Sequence, residues 1–233
     1  MSWKILRLSL LGSLLLVLCT FFLYRGTNWP LGIQGIEAAG AFLLLLVTNL
    51  VLFFPTRKTA DLNSFHQKSV TLGLLVGLLW AAEIGMNNIL QPGLPTRDIL
   101  DDLFWALIAL IIVAASTRYA YRTREIRIGI KVGFWSGLSS GAVACLTALF
   151  FVVAGMQFLL QDPLNRAEWS VRGATSGTAD MATYFAYQTL AGGLLHLVVL
   201  GAIMGVVLGI AGGVLGKFGN FAGKKMTAKS ALL

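Results

Sequence analysis

Apolar residues along this chain fall in long unbroken runs, not in alternation. Six runs approach the ~20 residues that an α-helix needs to cross a bilayer core. They are Ile5–Tyr24, Ile36–Phe54, Ser69–Leu90, Asp98–Ser116, Ile128–Phe151 and Leu190–Gly216. The alternating segments of a transmembrane β-barrel are absent from the pattern. Pro30, Pro55, Pro92, Pro95 and Pro163 all lie between runs or at their ends. There a missing helical N–H does least harm. Both patterns predict an all-α membrane protein, one domain over residues 1–233, built as a six-span helix bundle.

The first run follows Lys4 and Arg7 as the core of a signal peptide would. Cys19 adds a hint of a lipoprotein site, but Leu18 precedes it where a small residue is needed. No A-x-A-like site follows, so a retained helix is expected.

Composition closes off the soluble classes. Apolar types make up 57% of the 233 residues and charged types only 12%, against about 25% in soluble domains. The net charge of +8 has a topological reading. With the N-terminus inside, Lys4, Arg7, Arg57, Lys58, Lys68, Arg118, Arg122, Arg124, Arg127, Lys131, Lys217, Lys224, Lys225 and Lys229 are inside. Only Arg25, Arg97, Arg166 and Arg172 are outside. This asymmetry predicts an N-in/C-in orientation. It also makes anionic lipid, not nucleic acid, the expected partner of the basic loops. Trp3, Tyr119 and Tyr121 fall at the inner boundary, and Tyr24, Trp29, Trp169, Tyr184 and Tyr187 at the outer one. Trp80, Trp105 and Trp135 are deeper, where core packing is expected. A bacterial cytoplasmic membrane is the expected location.

Glycines recur at four-residue spacing in three runs. They are Gly73, Gly77 and Gly85 (with Ala81 between), then Gly129, Gly133, Gly137 and Gly141, then Gly201, Gly205, Gly209 and Gly213. Residues four apart share a helix face, and small faces let membrane helices approach closely. Spans three, five and six should therefore form the tightest part of the bundle, within one chain rather than between chains. A short repeat links Gly85-Met86…Gln91-Pro92 to Gly155-Met156…Gln161…Pro163. Its match is short enough to arise by chance.

One long connection, Gln161–Thr189, reads as an outward surface loop, with a lid or docking role as the alternative. Thr178 and Asp180 are both good N-caps for the helix that follows. That helix is too long for one straight span. An interfacial segment over Met181–Thr189 and a bend near Gly192-Gly193 are expected.

Glu83 is the one acid well inside a run. A carboxylate there must face the bundle interior or a partner. It lies about 21 Å above the inner surface in a core of about 30 Å. His196 lies about 9 Å below the outer surface, at a matching depth. Asn87 is one turn above Glu83, Asn88 adjoins it, and Asp101 and Asp102 open the next run. These residues define a candidate intramembrane polar site of Glu83, Asn87, His196, Asp101 and Asp102. A proton relay is its sharp reading, and a structural hydrogen-bonded pair the expected one.

Other chemistry has little support. Two histidines, one of them (His66) in an inner loop, do not make a haem or metal site. Cys19 and Cys145 read as small buried hydrophobes. Gly212–Lys217 lacks the first glycine and the Ser/Thr of a phosphate loop. No hydrolase motif occurs, so no catalytic residue and no cofactor are expected, although a lipid, quinone or pigment between helices fits the same pattern. The expected role is a non-enzymatic accessory or assembly component packing with partner membrane proteins or with itself. A small transporter or ion-coupled permease using Glu83 and His196 is the alternative.

Overall fold

A computed structural model describes residues 2–24, 33–53 and 60–230, with side chains described over 2–24, 39–50 and 66–219 and at Ile36. Arg25, Trp29, Pro30, Pro55, Arg57 and Lys58, and the side chains of Lys224, Lys225 and Lys229, lie outside the described residues. The fold is all-helical, and no strand occurs among the described residues. The helices are α1 (Ser2–Leu23), α2 (Ile33–Phe53), α3 (Ala60–Ile89), α4 (Thr96–Thr123) and α5 (Ile126–Ala154). Two short helices follow, α6 (Met156–Gln161) and α7 (Pro163–Arg172). The chain ends in α8 (Met181–Leu195), a π-helical stretch over His196–Ile203, and α9 (Met204–Ser230). Five segments are long and apolar enough to cross a membrane: Ser2–Leu23, His66–Ile89, Thr96–Thr123, Ile126–Ala154 and Met181–Gly219. The described apolar part of α2 is shorter, Ala39–Leu50.

α5 is the central helix. It packs against α1, α3, α4, α8, the π-helical stretch and α9. Its sequence explains the position. Small residues (Gly, Ser, Ala, Cys) make it thin enough to be surrounded, and nearly every turn is buried. Its hydroxyls are satisfied within the helix, so burying them leaves no open donor. Ser136 donates to Val132 O at 2.7 Å, Ser139 to Trp135 O at 2.7 Å and Ser140 to Gly137 O at 2.8 Å. Two apolar clusters flank it. Leu138, Ala142, Cys145 and Leu149 face Leu6, Leu10, Val17, Leu45 and Leu190. Ala144, Ala148 and Phe151 face Val76, Trp80, Ile84, Ile108 and Ile112.

The α5–α9 contact runs backbone to backbone. A Cβ on Gly133 would lie 2.2 Å from Gly205 O, and one on Gly137 2.2 Å from Gly201 O. Gly129 meets Gly213 in the same way, and Gly141 meets the carbonyl of His196. On α3, Gly73 lies against the Ser136 backbone and Gly77 against Val143. Gly85 does not share this role, because a Cβ there would meet nothing within 4 Å. The close approach of α3 to α5 is confined to the turns before it. α4 joins the tight part unexpectedly. Gly212 and Gly216, on a different face of α9, meet Ser116, Thr117, Ala120 and Tyr121.

Several boundaries differ from expectation. α3 begins at Ala60, so His66 is helical rather than in a loop, with its ring 5.6 Å from that of Trp135. The polar first turns of α3 carry no hydropathy signal, which hid its true start. The Gln161–Thr189 segment is not a plain loop but contains α7 and the start of α8. Asp162 caps α7 through Leu164 N at 3.0 Å, with Pro163 in the first helical position. Asp180 caps α8 through Thr183 N at 2.8 Å. At Gly192-Gly193 the helix is regular, and the departure from α geometry comes at His196–Ile203 instead. The His196 carbonyl there sits against both Gly141 and Gly201, so close packing rather than glycine flexibility coincides with the change. Trp105 is not a core residue, being 43% exposed.

Candidate functional site

The last turns of α3 and the first turns of α4 carry a group of polar side chains at one end of the bundle. Glu83 and Asn87 are four apart on α3, and Arg97, Asp101 and Trp105 are four apart on α4. Each set therefore forms a single stripe, and the two stripes meet. Asn87 Nδ2 donates to Asp101 Oδ1 at 2.8 Å and reaches Glu83 Oε1 at 3.5 Å. One amide nitrogen thus bridges two carboxyl groups. Asp101, Trp105 and, at longer range, Arg97 are the polar side chains that act on the Glu83 carboxyl.

Arg97 closes the end of the site. Its Nη1 pairs with Asp162 Oδ2 at 2.8 Å, and its Nη2 donates to the Asn87 carbonyl at 3.0 Å. The guanidinium therefore ties the end of α3 to the cap of α7. Asp162 is 1% exposed, and burial of a charge requires such a partner. Gln91 adds a second tie, donating to Phe158 O at 2.8 Å. This links the two segments that share the short Gly-Met…Gln-Pro likeness.

Two acceptors in this network are left over. Glu83 is 6% exposed, and its Oε2 has no hydrogen-bonding partner. Asn87 Oδ1 is likewise buried and unpartnered. Unmet polar atoms of this kind are uncommon in native interiors and call for an explanation.

Not every residue of the expected site joins it. The hydrogen bond of His196 lies within its own helix, away from Glu83. Its Nδ1 lies 2.8 Å from Gly192 O. A carbonyl only accepts, so Nδ1 carries the hydrogen of this bond. Its ring meets the Trp80 ring edge-on at 4.9 Å, and Trp80 in turn meets Trp105 at 5.4 Å. The imidazole's neighbour is thus Trp80, three residues before Glu83 on α3. Asp102 is exposed. Adjacent helix positions are about 100° apart, so Asp101 faces inward and Asp102 does not.

Arg97, Asp162, Gln91 and Trp105 complete the constellation without having been singled out by sequence. Arg97 carried one usable signal, its four-residue spacing from Asp101. Among the described residues, no group of three or more His, Cys, Asp or Glu is arranged to hold a metal ion. Cys145 is buried and Cys19 half-buried, and both are free thiols.

No known protein family matches the chain, nor does any curated protein or solved structure.

Proposed function

We propose that this chain is a non-enzymatic multi-pass membrane protein of the small permease type, moving an ion through the Glu83–Asn87–Asp101 site. One observation carries the reading. A carboxyl group is buried among apolar helices with an unmet oxygen, beside a second carboxyl on a neighbouring helix. Ionisable residues inside membrane spans are costly, and they commonly mark ion or substrate pathways. The positive-inside orientation expected from sequence would put the site in the outer half, beneath α6 and α7. The π-helical stretch beside His196 and Trp80 supports the same reading, because such departures often accompany functional sites.

The accessory role is the alternative reading, and the glycine stripes do not add to it. The glycine stripes of α5 and α9 face each other inside the chain, so they offer no face to a partner. The broad apolar outer faces of α1 and α4 are what lipid alone would require.

Proteoliposomes holding a pH-reporting dye test the proposal. With an imposed proton gradient and a potassium–valinomycin potential, wild-type vesicles should acidify faster than empty ones. Glu83→Gln vesicles should match the empty ones. Equal rates for wild type and Glu83→Gln would overturn the permease reading. Native mass spectrometry from mild detergent would then show whether a partner protein accompanies the chain.

A further inference from the structure

We infer that Glu83 and Asp101 together hold a single exchangeable proton, bridged by Asn87 and kept from the surface by the Arg97–Asp162 pair. This deepens the permease reading by naming its ion and that ion's holders. The argument begins with the two leftover atoms. Glu83 Oε2 and Asn87 Oδ1 are both acceptors, both buried, and both lack a donor. They sit on residues one helical turn apart. A proton on the Glu83 carboxyl turns an unmet acceptor into a donor. It also gives a neighbouring acceptor, Asn87 or Asp101, something to accept.

Charge points the same way. The groups that face Glu83 or border its site can be named element by element. α4 contributes Asp101 and Arg97, and the cap of α7 contributes Asp162. α8 ends beside His196, whose ring lies against Trp80. Asp98 and Asp102 are exposed. The site thus gathers three carboxyls and one guanidinium. The guanidinium is committed to Asp162 at 2.8 Å and to the Asn87 carbonyl at 3.0 Å. Glu83 and Asp101 are left to face each other across one amide. Glu83 is buried while Asp101 is half-buried, so a proton held at the Glu83 end relieves the like-charge contact where water is least able to screen it.

A metal cation is the competing occupant. It would need more oxygen ligands than two carboxyls and one amide supply, and it would sit near the guanidinium. The proton needs neither. Trp105, whose ring meets that of Trp80 at 5.4 Å, is a further side chain that acts on the Glu83 carboxyl. Arg97 reaches the outer end, with its side chain 16% exposed. It is a positioning residue here: it holds α3, α4 and α7 together and is the natural counter-charge when the proton leaves.

Dicyclohexylcarbodiimide tests the proposal on the full chain in detergent, because it adds to a protonated carboxyl in apolar surroundings. Peptide mass spectrometry should find one adduct per chain, on Glu83 or Asp101 but not on both. Labelling should fall as pH rises and be indifferent to added sodium. Asp101→Asn removes the repulsion that keeps the proton in place. Labelling at Glu83 should then drop about fivefold at the wild-type midpoint, as a one-unit shift between coupled groups gives. Two adducts per chain, no adduct at either residue, protection by sodium at constant pH, or an unchanged profile in Asp101→Asn would each overturn the inference. If Asp101→Asn does not fold, the wild-type stoichiometry and the sodium arm decide alone. Dye-reported flux without pH-dependent labelling would sink the shared proton and leave the permease reading standing. Labelling without flux would do the reverse.

Discussion

The α5–α9 seam and the Glu83 cluster are both helix contacts, and they are made from opposite materials. The seam has no side chains at its centre. Carbonyl oxygens of one helix lie against glycine backbone of the other, as at Gly133 against Gly205 and Gly137 against Gly201. The cluster is held chiefly by side chains, namely Glu83, Asn87, Arg97, Asp101 and Asp162, with the Asn87 carbonyl as an added acceptor. In a bilayer, apolar burial gives little drive between helices, so packing and hydrogen bonds must supply it. The seam uses packing, which admits one arrangement. The cluster uses hydrogen bonds that can be exchanged for others. A fixed frame with one exchangeable corner is a physical basis for a site that takes up and releases an ion.

The largest effect should come from filling the seam. Gly137→Leu would drive a side chain into Gly201 O and the Gly205 backbone. Neither can move without separating α5 from α9. Loss of the folded state is expected, a cost above about 5 kcal/mol and outside the ordinary range for single substitutions. Aggregation on size-exclusion chromatography in mild detergent would report it. A monodisperse Gly137→Leu protein with wild-type thermal stability would show that the seam is not the frame.

The cluster should respond less, and through charge. Arg97→Ala leaves Asp162, 1% exposed, without its partner. Breaking a buried pair costs about 3 kcal/mol. The low end of that range applies because Arg97 partly reaches solvent. Asp162→Asn should cost less, about 1.5 kcal/mol, the value of a hydrogen bond to a charged group. Asparagine still caps α7, and the guanidinium left behind is able to turn outward. Thermal unfolding followed by tryptophan fluorescence should rank wild type above Asp162→Asn and Asp162→Asn above Arg97→Ala. The reverse ranking would mean that the buried Asp162 charge is not what the Arg97 pairing serves to satisfy.

What could be read from sequence divides along the same line. The seam was legible because four-residue spacing is local and needs only one helix at a time. The share of α4 was not. Gly212 and Gly216 lie on another face of α9, and their partners Ser116 and Thr117 show no stripe of their own. Glu83, Asn87 and Asp101 were found by burial cost and spacing. Arg97 and Asp162 were missed because their pairing spans 65 residues, and nothing local to either residue announces it. Asp102 was misjudged because sequence neighbours on a helix point about 100° apart. The depth match between Glu83 and His196 was a statement of level, and level alone does not make a contact.

The smallest effect should have the opposite sign, and it isolates what the glycine spacing means. Gly85 continues the α3 stripe of Gly73 and Gly77, yet a Cβ there would meet nothing within 4 Å. Glycine in a helix interior costs about 0.5–1 kcal/mol relative to alanine, through the freedom that its backbone must lose. Gly85→Ala should therefore be neutral or stabilising by up to about that amount. Gly137→Ala, the same chemical change, should destabilise because its Cβ would lie 2.2 Å from Gly201 O. Both substitutions add one methyl group to a glycine of a four-residue stripe, so spacing by itself predicts equal effects. Thermal unfolding of the two proteins side by side separates spacing from contact. If Gly85→Ala lowers the midpoint as far as Gly137→Ala does, α3 is pressed against another helix at that level.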